Sequence, residues 1–455
     1  MAADNGKKKQ EEGGEKEKVV KVTNKSVVLP RKELGGRECP LVTFDLPFLT
    51  FYYNQKLLLY KGQGGIDENW EEMVGKMKES LEEILVDFYP LAGKLGKDEE
   101  GVIRVDCDAD NVGVEVVEAV AAGVGVAELG EDESSPLLQE IVPYTGVLNL
   151  EGFRRPVLAV QFTKLRDGLA IGCAFNHTIL DGHSTWHFMN SWAEICRGST
   201  AISVPPFHDR TKARDTRVKI DLPSPGKPLR SESDGPAPPQ MREKIFQFSG
   251  SAIDKIKSNV NSSLSNGSKP FSTFQSLGAH IWRAISRARN LNPEDYTVFT
   301  VFADCRKRVD PPMSENYFGN LIQAVFTVTA AGALLANAPG FGASMVQKAI
   351  EMHDSKAIEC KNKEWEAAPM LFQYKDAGPN CVAVGSSPRF KVYDIDFGWG
   401  KPDTVRSGRN NKFDGMVYLY QGKGGGKSID VEISLEVQAM GNLEKDEEFL
   451  MEEQA

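Results

Sequence analysis

The chain switches between two hydrophobic periods, and the switches outline an α/β protein. From Val19 to Val28 apolar residues fall on alternate positions often enough to predict a strand. The segment Leu41 to Tyr60 (LVTFDLPFLTFYYNQKLLLY) is so dense in aromatic and aliphatic residues that most of it must be buried. The period then changes. Met73, Met77, Leu81, Ile84, Leu85 and Phe88 recur at three- and four-residue steps and predict a helix over 67–88, with Asp67 and Glu68 at its positive end. Tyr89-Pro90 stops it, because proline disfavours helix at the residue before it. Strands are predicted over 102–105 and 112–117. A hairpin follows over 157–165 and 169–176, turning through Arg166-Asp167-Gly168. Residues 184–197 read as a helix carrying Phe188, Trp192 and Ile195 on one face, with Gly198 as its stop.

From Pro205 to Gln240 the pattern breaks. Pro223, Pro225, Pro228, Pro236, Pro238 and Pro239, with Ser and Gly between them, predict a linker. A second α/β half follows. Ser272-Thr273-Phe274-Gln275 has capping-box spacing before a helix carrying Leu277, Ile281, Trp282 and Ile285. Strands are expected over 297–303, 323–329, 390–395 and 429–437. The expected organisation is a disordered tail 1–18, a first domain 19–204, the linker 205–240 and a second domain 241–455, with no short-period repeat.

At 455 residues the chain is too long for one ordinary core. An apolar fraction of 41% against 26% charged residues places it among globular proteins. Its formal charge of −10 argues against a nucleic-acid surface but leaves room for a local basic mouth that takes a phosphorylated cofactor. Seven scattered cysteines without a C-x-x-C pair suit neither a disulfide scaffold nor a zinc ribbon, and favour a reducing compartment. No apolar run approaches the roughly 20 residues that span a bilayer. Met1 to Lys18, rich in Lys, Glu and Gly, lacks the apolar core of a secretory signal. Cytosolic residence is the expectation.

The candidate chemistry gathers at Asn176-His177-Thr178-Ile179-Leu180-Asp181-Gly182, where a buried strand gives way to a glycine turn and a helix. An imidazole at a strand end is held rigidly and titrates near neutrality, as a general base requires. Side-chain alternation puts His177 on one face with Ile171, Cys173 and Phe175, at the edge of the core. Asp181 either pairs with His177 or points elsewhere. On its own, H-x-x-x-D fits a structural histidine as readily as a base. Asp396-Phe397-Gly398-Trp399-Gly400 reads first as a tight structural turn. Gln421-Gly-Lys-Gly-Gly-Gly-Lys-Ser428 looks like a phosphate-binding loop. However, glutamine stands where the first glycine belongs, and a strand pattern follows where a helix must open. A metal site of His177, Asp181 and His183 has no recognised ligand spacing, and no G-x-S-x-G elbow exists for a serine hydrolase.

Taken together, His177-Thr-Ile-Leu-Asp181-Gly182 and Asp396-Phe-Gly398-Trp399-Gly400, in that order, resemble the two signature motifs of the plant BAHD acyltransferases. Tyr89-Pro-Leu-Ala-Gly93, Asp304-Cys-Arg306 and Tyr317-Phe-Gly-Asn320 agree. The resemblance runs from about Val19 to the C-terminus. It implies an α/β fold of two chloramphenicol-acetyltransferase-like domains, each a mixed sheet with flanking helices, with the active-site channel between them. Acyl-CoA is implied as co-substrate, with no permanently bound cofactor and no metal. His177 would deprotonate an acceptor hydroxyl or amine. Asp181 would be structural, paired with an arginine placed here at Arg306. Asp396, Gly398 and Trp399 would hold domain geometry. Ser386 and Ser387 lie where relatives carry a hydroxyl near the reacting carbon. Ser272 and Thr273, at a helix N-terminus, suit either the cofactor or simple capping. The enzyme is expected to act as a monomer.

Phe51-Tyr-Tyr-Asn-Gln-Lys-Leu57, Val384-Gly-Ser-Ser-Pro-Arg-Phe390 and Val405-Arg-Ser-Gly408 are most similar to the cutin-related branch of that family. That branch implies a hydroxy fatty acid or glycerolipid acceptor. No arginine occurs between Ala357 and Pro388 to grip a shikimate-type carboxylate, and Lys375 would not reproduce bidentate geometry. A hydroxycinnamoyl, flavonoid or polyamine acyltransferase of specialised metabolism is the alternative. A non-catalytic ligand-binding or scaffold role is the alternative of another class.

Overall fold

The apolar run Leu169–Phe175 becomes a strand buried at every position and paired on both edges. A computed structural model of the chain describes residues 19–35, 37–62, 69–107, 113–131, 136–222, 240–262, 264–265, 267–372, 377–378 and 380–451. The expected tail, Asp67, Glu68, Lys375 and the six prolines from Pro223 to Pro239 lie outside the described residues.

The strands of the first half are β1 Lys21–Val28, β2 Glu38–Pro40, β3 Asn54–Lys61, β4 Lys94–Lys97, β5 Ile103–Asp106, β6 Val114–Ala121, β7 Leu158–Leu165 and β8 Gly168–Phe175. Those of the second are β9 Met241–Phe248, β10 Tyr296–Asp304, β11 Ile322–Ala330, β12 Cys381–Val384, β13 Thr404–Ser407, β14 Met416–Gln421 and β15 Ile429–Glu436. They build one six-stranded mixed sheet of order β1-β6-β7-β8-β3-β13 and another of order β11-β10-β12-β14-β15-β9. A small sheet, β2-β5-β4, stands beside them. The β7–β8 turn is tight because Gly168 passes the backbone of Tyr60 so closely that a Cβ there would come within 2.1 Å of the Tyr60 carbonyl oxygen.

The longer helices of each half lie on one face of its large sheet, while the short helix 126–131 packs on the opposite face of the first, against Leu57 and Leu59. Helix 70–87 and helix 182–196 cover the first sheet. They are locked where the Trp192 indole N–H reaches the Met77 carbonyl at 3.3 Å and the Ser80 hydroxyl at 3.1 Å. Helices 250–261, 273–288 and 340–352 cover the second, and Trp282 is fastened to Thr297 at 2.9 Å. Cys381, Ala383, Met416 and Tyr418 of the second sheet pack into the core of the first, so the two halves meet along their sheets.

Three expectations change. The first sheet is not built from the first half alone, since β13 pairs antiparallel with β3, Ser407 opposite Lys56 and Thr404 opposite Leu59. Residues 205–222 of the expected linker are not a loose tether. Phe207 exchanges backbone hydrogen bonds with Asn316 and Phe318, and Arg210 is buried. The proline signal that marked the linker comes mostly from the residues after 222. Finally, 390–395 is a 3₁₀ turn, Val392–Asp394, rather than a strand. Its amides at Phe390, Val392 and Asp394 bond to carbonyls two or three residues back, which takes alternate amides out of any ladder.

Candidate active site

β8 ends at Phe175, and the chain then makes a turn that presents His177 from the sheet edge. Both backbone groups of His177 are held by asparagine side chains from elsewhere in the chain. Its N–H donates to Asn149 Oδ1 at 2.9 Å, and its carbonyl accepts from Asn320 Nδ2 at 2.8 Å. The ring lies flat on Phe48, with centroids 4.3 Å apart and planes 3° from parallel. Asn149 fastens that partner too, donating to the Phe48 carbonyl at 2.8 Å. The imidazole is thus fixed in place and plane without any contact to a carboxylate.

Burial disfavours the imidazolium, and the charge of Lys56 adds to that, so His177 titrates below the ordinary histidine value. Its own carbonyl, Asp181 and Asn320 pull the other way and are outweighed. Nδ1 is buried without a well-formed hydrogen bond, while the residue as a whole is half-buried, so the accessible side of the ring is that of Nε2. A neutral, immobilised imidazole with one nitrogen toward the opening is what proton abstraction from an incoming hydroxyl requires.

Asp181 turns away from His177. Its carboxylate takes Arg306 in a two-pronged pair at 2.8 and 3.2 Å, caps helix 182–196 by accepting from Ser184 N–H at 2.9 Å, and accepts from Leu321 N–H at 3.1 Å. Burial works against its charge, but the guanidinium and the amides hold it below the usual carboxylate range. Arg306 sits after β10, so this pair ties the base-bearing loop of one half to a strand end of the other. The third possible metal ligand, His183, places its Nε2 on the Glu315 carbonyl at 2.9 Å. Among the described residues no group of three His, Cys, Asp or Glu side chains is arranged to hold a metal ion.

A second buried ion pair, absent from the reading of the sequence, backs the same loop. Arg210 donates to Asp45 at 2.6 Å and to the Ile179 carbonyl at 2.6 Å. Asp45 in turn accepts from Asn320 at 3.1 Å, the residue that holds the His177 carbonyl. The lone acid of L-V-T-F-D-L-P-F was the available signal, since a carboxylate inside an apolar run must find a cation.

The 396–400 loop lies on the first sheet. Asp396 Oδ1 accepts from Gly398 and Gly400 N–H at 2.8 and 2.9 Å, and both glycines have positive φ. Phe397 packs edge-on against Trp192, Trp399 against Tyr60, and the Arg197 guanidinium binds the Asp396 carbonyl. Ser272 completes a capping box with Gln275, which engages its hydroxyl, and Thr273 follows as the first helical residue. The Ser386 hydroxyl is likewise committed, bonding the Leu419 carbonyl and N–H at 2.7 Å each. Ser387 accepts from Arg389 N–H at 3.3 Å. The glycine-rich loop 422–428 joins β14 to β15 as a hairpin.

A family model described as the transferase family matches residues 18–450. The chain is 59% identical over 96% of its length, and 93% of the relative's, to the BAHD acyltransferase DCR of Arabidopsis thaliana. The chain belongs to the BAHD acyltransferase family. It is also 30% identical to hydroxycinnamoyltransferase 2 of Oryza sativa subsp. japonica, over 94% of this chain and 98% of that one. In fold it matches the crystal structure of vinorine synthase with a TM-score of 0.73 at 22% identity, covering 95% of this chain and 98% of that one. A Fusarium sporotrichioides TRI101 structure, complexed with coenzyme A and T-2, matches with a TM-score of 0.69 at 20% identity over 91% of this chain and 98% of that one. This BAHD enzyme is therefore an acyl-CoA-dependent acyltransferase of the two-domain chloramphenicol-acetyltransferase-like fold. No helix among its described residues is long and apolar enough to cross a membrane.

Proposed function

We propose that His177 is the general base of this acyltransferase. The supporting observation is its state: a neutral imidazole, stacked on Phe48 and clamped at N–H and carbonyl, with Nε2 on the accessible side. Nε2 takes the proton of the acceptor hydroxyl as the oxygen attacks the thioester carbonyl. The tetrahedral intermediate collapses with cleavage of the C–S bond, and the proton passes to the departing CoA thiolate. Asp181, Arg306 and the loop 396–400 hold the base and the two halves in register without touching substrate.

The acceptor we infer is a hydroxy fatty acid or glycerolipid used in cutin formation, on the strength of the similarity to DCR and of the stretches 51–57, 384–390 and 405–408. We further infer a cytosolic monomer of two domains, 19–204 and 241–455, the second lending β13 to the sheet of the first. Seven cysteines outside any disulfide, six of them buried, fit a reducing compartment.

Release of CoA thiol from a panel of acyl-CoAs and acceptors tests both parts. His177→Ala should lower turnover by about 10²–10⁴ while leaving the fold intact. Wild-type transfer by that variant would sink the base assignment. Turnover confined to hydroxycinnamoyl-CoA with shikimate would sink the lipid acceptor.

A further inference from the structure

Lys56 is the one buried basic residue in a strand dominated by buried aliphatic side chains, since Lys61 at the strand's end is exposed; only 4% of Lys56 is exposed. On β3 it stands opposite Cys173 of β8, so it shares a face with Cys173 and Phe175, and His177 follows two residues beyond Phe175. The second sheet closes over it, with the Tyr418 ring centroid 5.7 Å from Nζ. Lys56 therefore lies between the halves, on the His177 side of the first sheet.

An ammonium group carries three donors. The hydrogen bond that Nζ makes among the described residues goes to a neutral acceptor, Asn54 Oδ1, at 3.2 Å. The nearest acid acting on it, Glu432, is already occupied by Lys412 and by the N–H and hydroxyl of Ser407, and Lys412 has Glu243 as well. A buried cation is costly unless it is paired. Arg210, Arg306 and Lys412, other buried cations of this region, each have an acid. Lys56 is left with donors aimed between the sheets and no anion to receive them.

We propose that Lys56 recognises an anionic group, carboxylate or phosphate, carried by the acceptor a few atoms from the hydroxyl that His177 deprotonates. The inference rests on acyl transfer at His177 and adds the acceptor's charge. It also supplies a cation from the first sheet in a chain with no arginine between Ala357 and Pro388. The phosphates of CoA sit at the far end of the pantetheine arm from the thioester, which leaves the acceptor as the source of an anion near the base.

A pH signature accompanies it. Burial lowers the Lys56 pKa to about 8; Lys412 adds to the shift and Glu432 opposes it. Tyr418 faces it from the second sheet, while on the first sheet burial raises the Cys173 thiol and lowers the His177 imidazole, so both are neutral near pH 8. Preference for an anionic acceptor should therefore fade above about pH 8, and it should not fade there when arginine stands at position 56.

The full chain, as wild type, Lys56→Met and Lys56→Arg, is assayed for CoA release with paired acceptors: glycerol 3-phosphate against glycerol, and 3-hydroxybutyrate against its methyl ester. The wild type should favour the anionic member of at least one pair by about tenfold or more in kcat/KM, the worth of one charge-assisted contact. Lys56→Met should erase that ratio and Lys56→Arg keep it. A phosphate-only or carboxylate-only preference identifies the anion. Equal use of both members of each pair by the wild type, or a ratio that survives in Lys56→Met, overturns the proposal. Acyl transfer itself is then still read from the neutral acceptors. A Lys56-dependent preference for malonyl- over acetyl-CoA, with none among acceptors, would place the anion on the donor and also overturn it. If none of these acceptors turns over, calorimetry with the same anions and no acyl-CoA decides. Binding lost in Lys56→Met alone supports the proposal, and equal heats in all three proteins overturn it.

Discussion

Asp181→Asn removes one charge from the site and almost no volume. In the wild type the Asp181 carboxylate is 0% exposed and the Arg306 side chain 2%, so neither ion is compensated by water. Asparagine keeps an oxygen for the Ser184 N–H, and the helix cap should survive. The guanidinium, however, is left buried beside a neutral amide, with Asp304 at the surface as its remaining acid. Breaking a buried pair from one side costs about 3–5 kcal/mol, a large share of the 5–15 kcal/mol by which a domain is ordinarily stable. Urea unfolding followed by tryptophan fluorescence should show that loss, while CoA release per folded molecule stays within about tenfold of wild type. Asp181→Leu with Arg306→Met, which removes both charges, should recover much of the stability. The acid side follows by linkage. Because the folded-state pKa of Asp181 lies below its unfolded value, its contribution is complete above about pH 4 and disappears as pH falls through the folded-state value. Asp181→Asn should lack that component of acid unfolding. If the variant is as stable as wild type yet loses about 10³ in kcat, the carboxylate acts on His177 chemically and the structural reading is wrong.

The depressed pKa of His177 predicts that the acid limb of kcat/KM with a neutral acceptor has its midpoint below pH 6.5; a midpoint at 6.5 or above would contradict burial as the dominant influence. Asn149→Ala removes the acceptor for the His177 N–H and one of two donors to the Phe48 carbonyl, which keeps the Phe51 N–H; the His177 N–H is left unsatisfied at about 1–3 kcal/mol. It should lower kcat more than it raises KM, and Asn149→Asp, which keeps the acceptor, should recover part of the loss; equal damage by both variants would refute the clamp.

The fold was legible wherever one period held over a whole element. The hairpin of β7 and β8, helices 70–87 and 182–196, and the capping box at Ser272 follow from local alternation and spacing, and the structure places them within a few residues of expectation. Elements stabilised by distant partners were not legible. β13 is four residues long and owes its strand form to β3, far back in the chain. Val392 and Tyr393 have side chains suited to a strand, but the N–H groups of Val392 and Asp394 are spent on local turns. The segment 205–222 reads as linker because nothing near it in sequence reveals that Phe207 adds to residues 316–318 or that Arg210 reaches Asp45.

The same asymmetry governs the site. His177 announces itself because a histidine at the end of an apolar strand is unusual in its neighbours. The groups that hold it do not, because Asn149, Asn320 and Asp45 are polar residues whose partners lie in other segments. What was readable was an inconsistency: Asp45 and Lys56 each interrupt a run that must be buried. A buried charge needs an opposite one or a dipole. Asp45 is answered within the chain, by Arg210 and Asn320. Its role is complete without substrate, and its loss should be felt as stability. Lys56 finds only the Asn54 amide oxygen among the described residues, so the rule that makes Asp45 structural points Lys56 toward a ligand. The two residues look alike in sequence, and what separates them is whether the folded chain provides the partner.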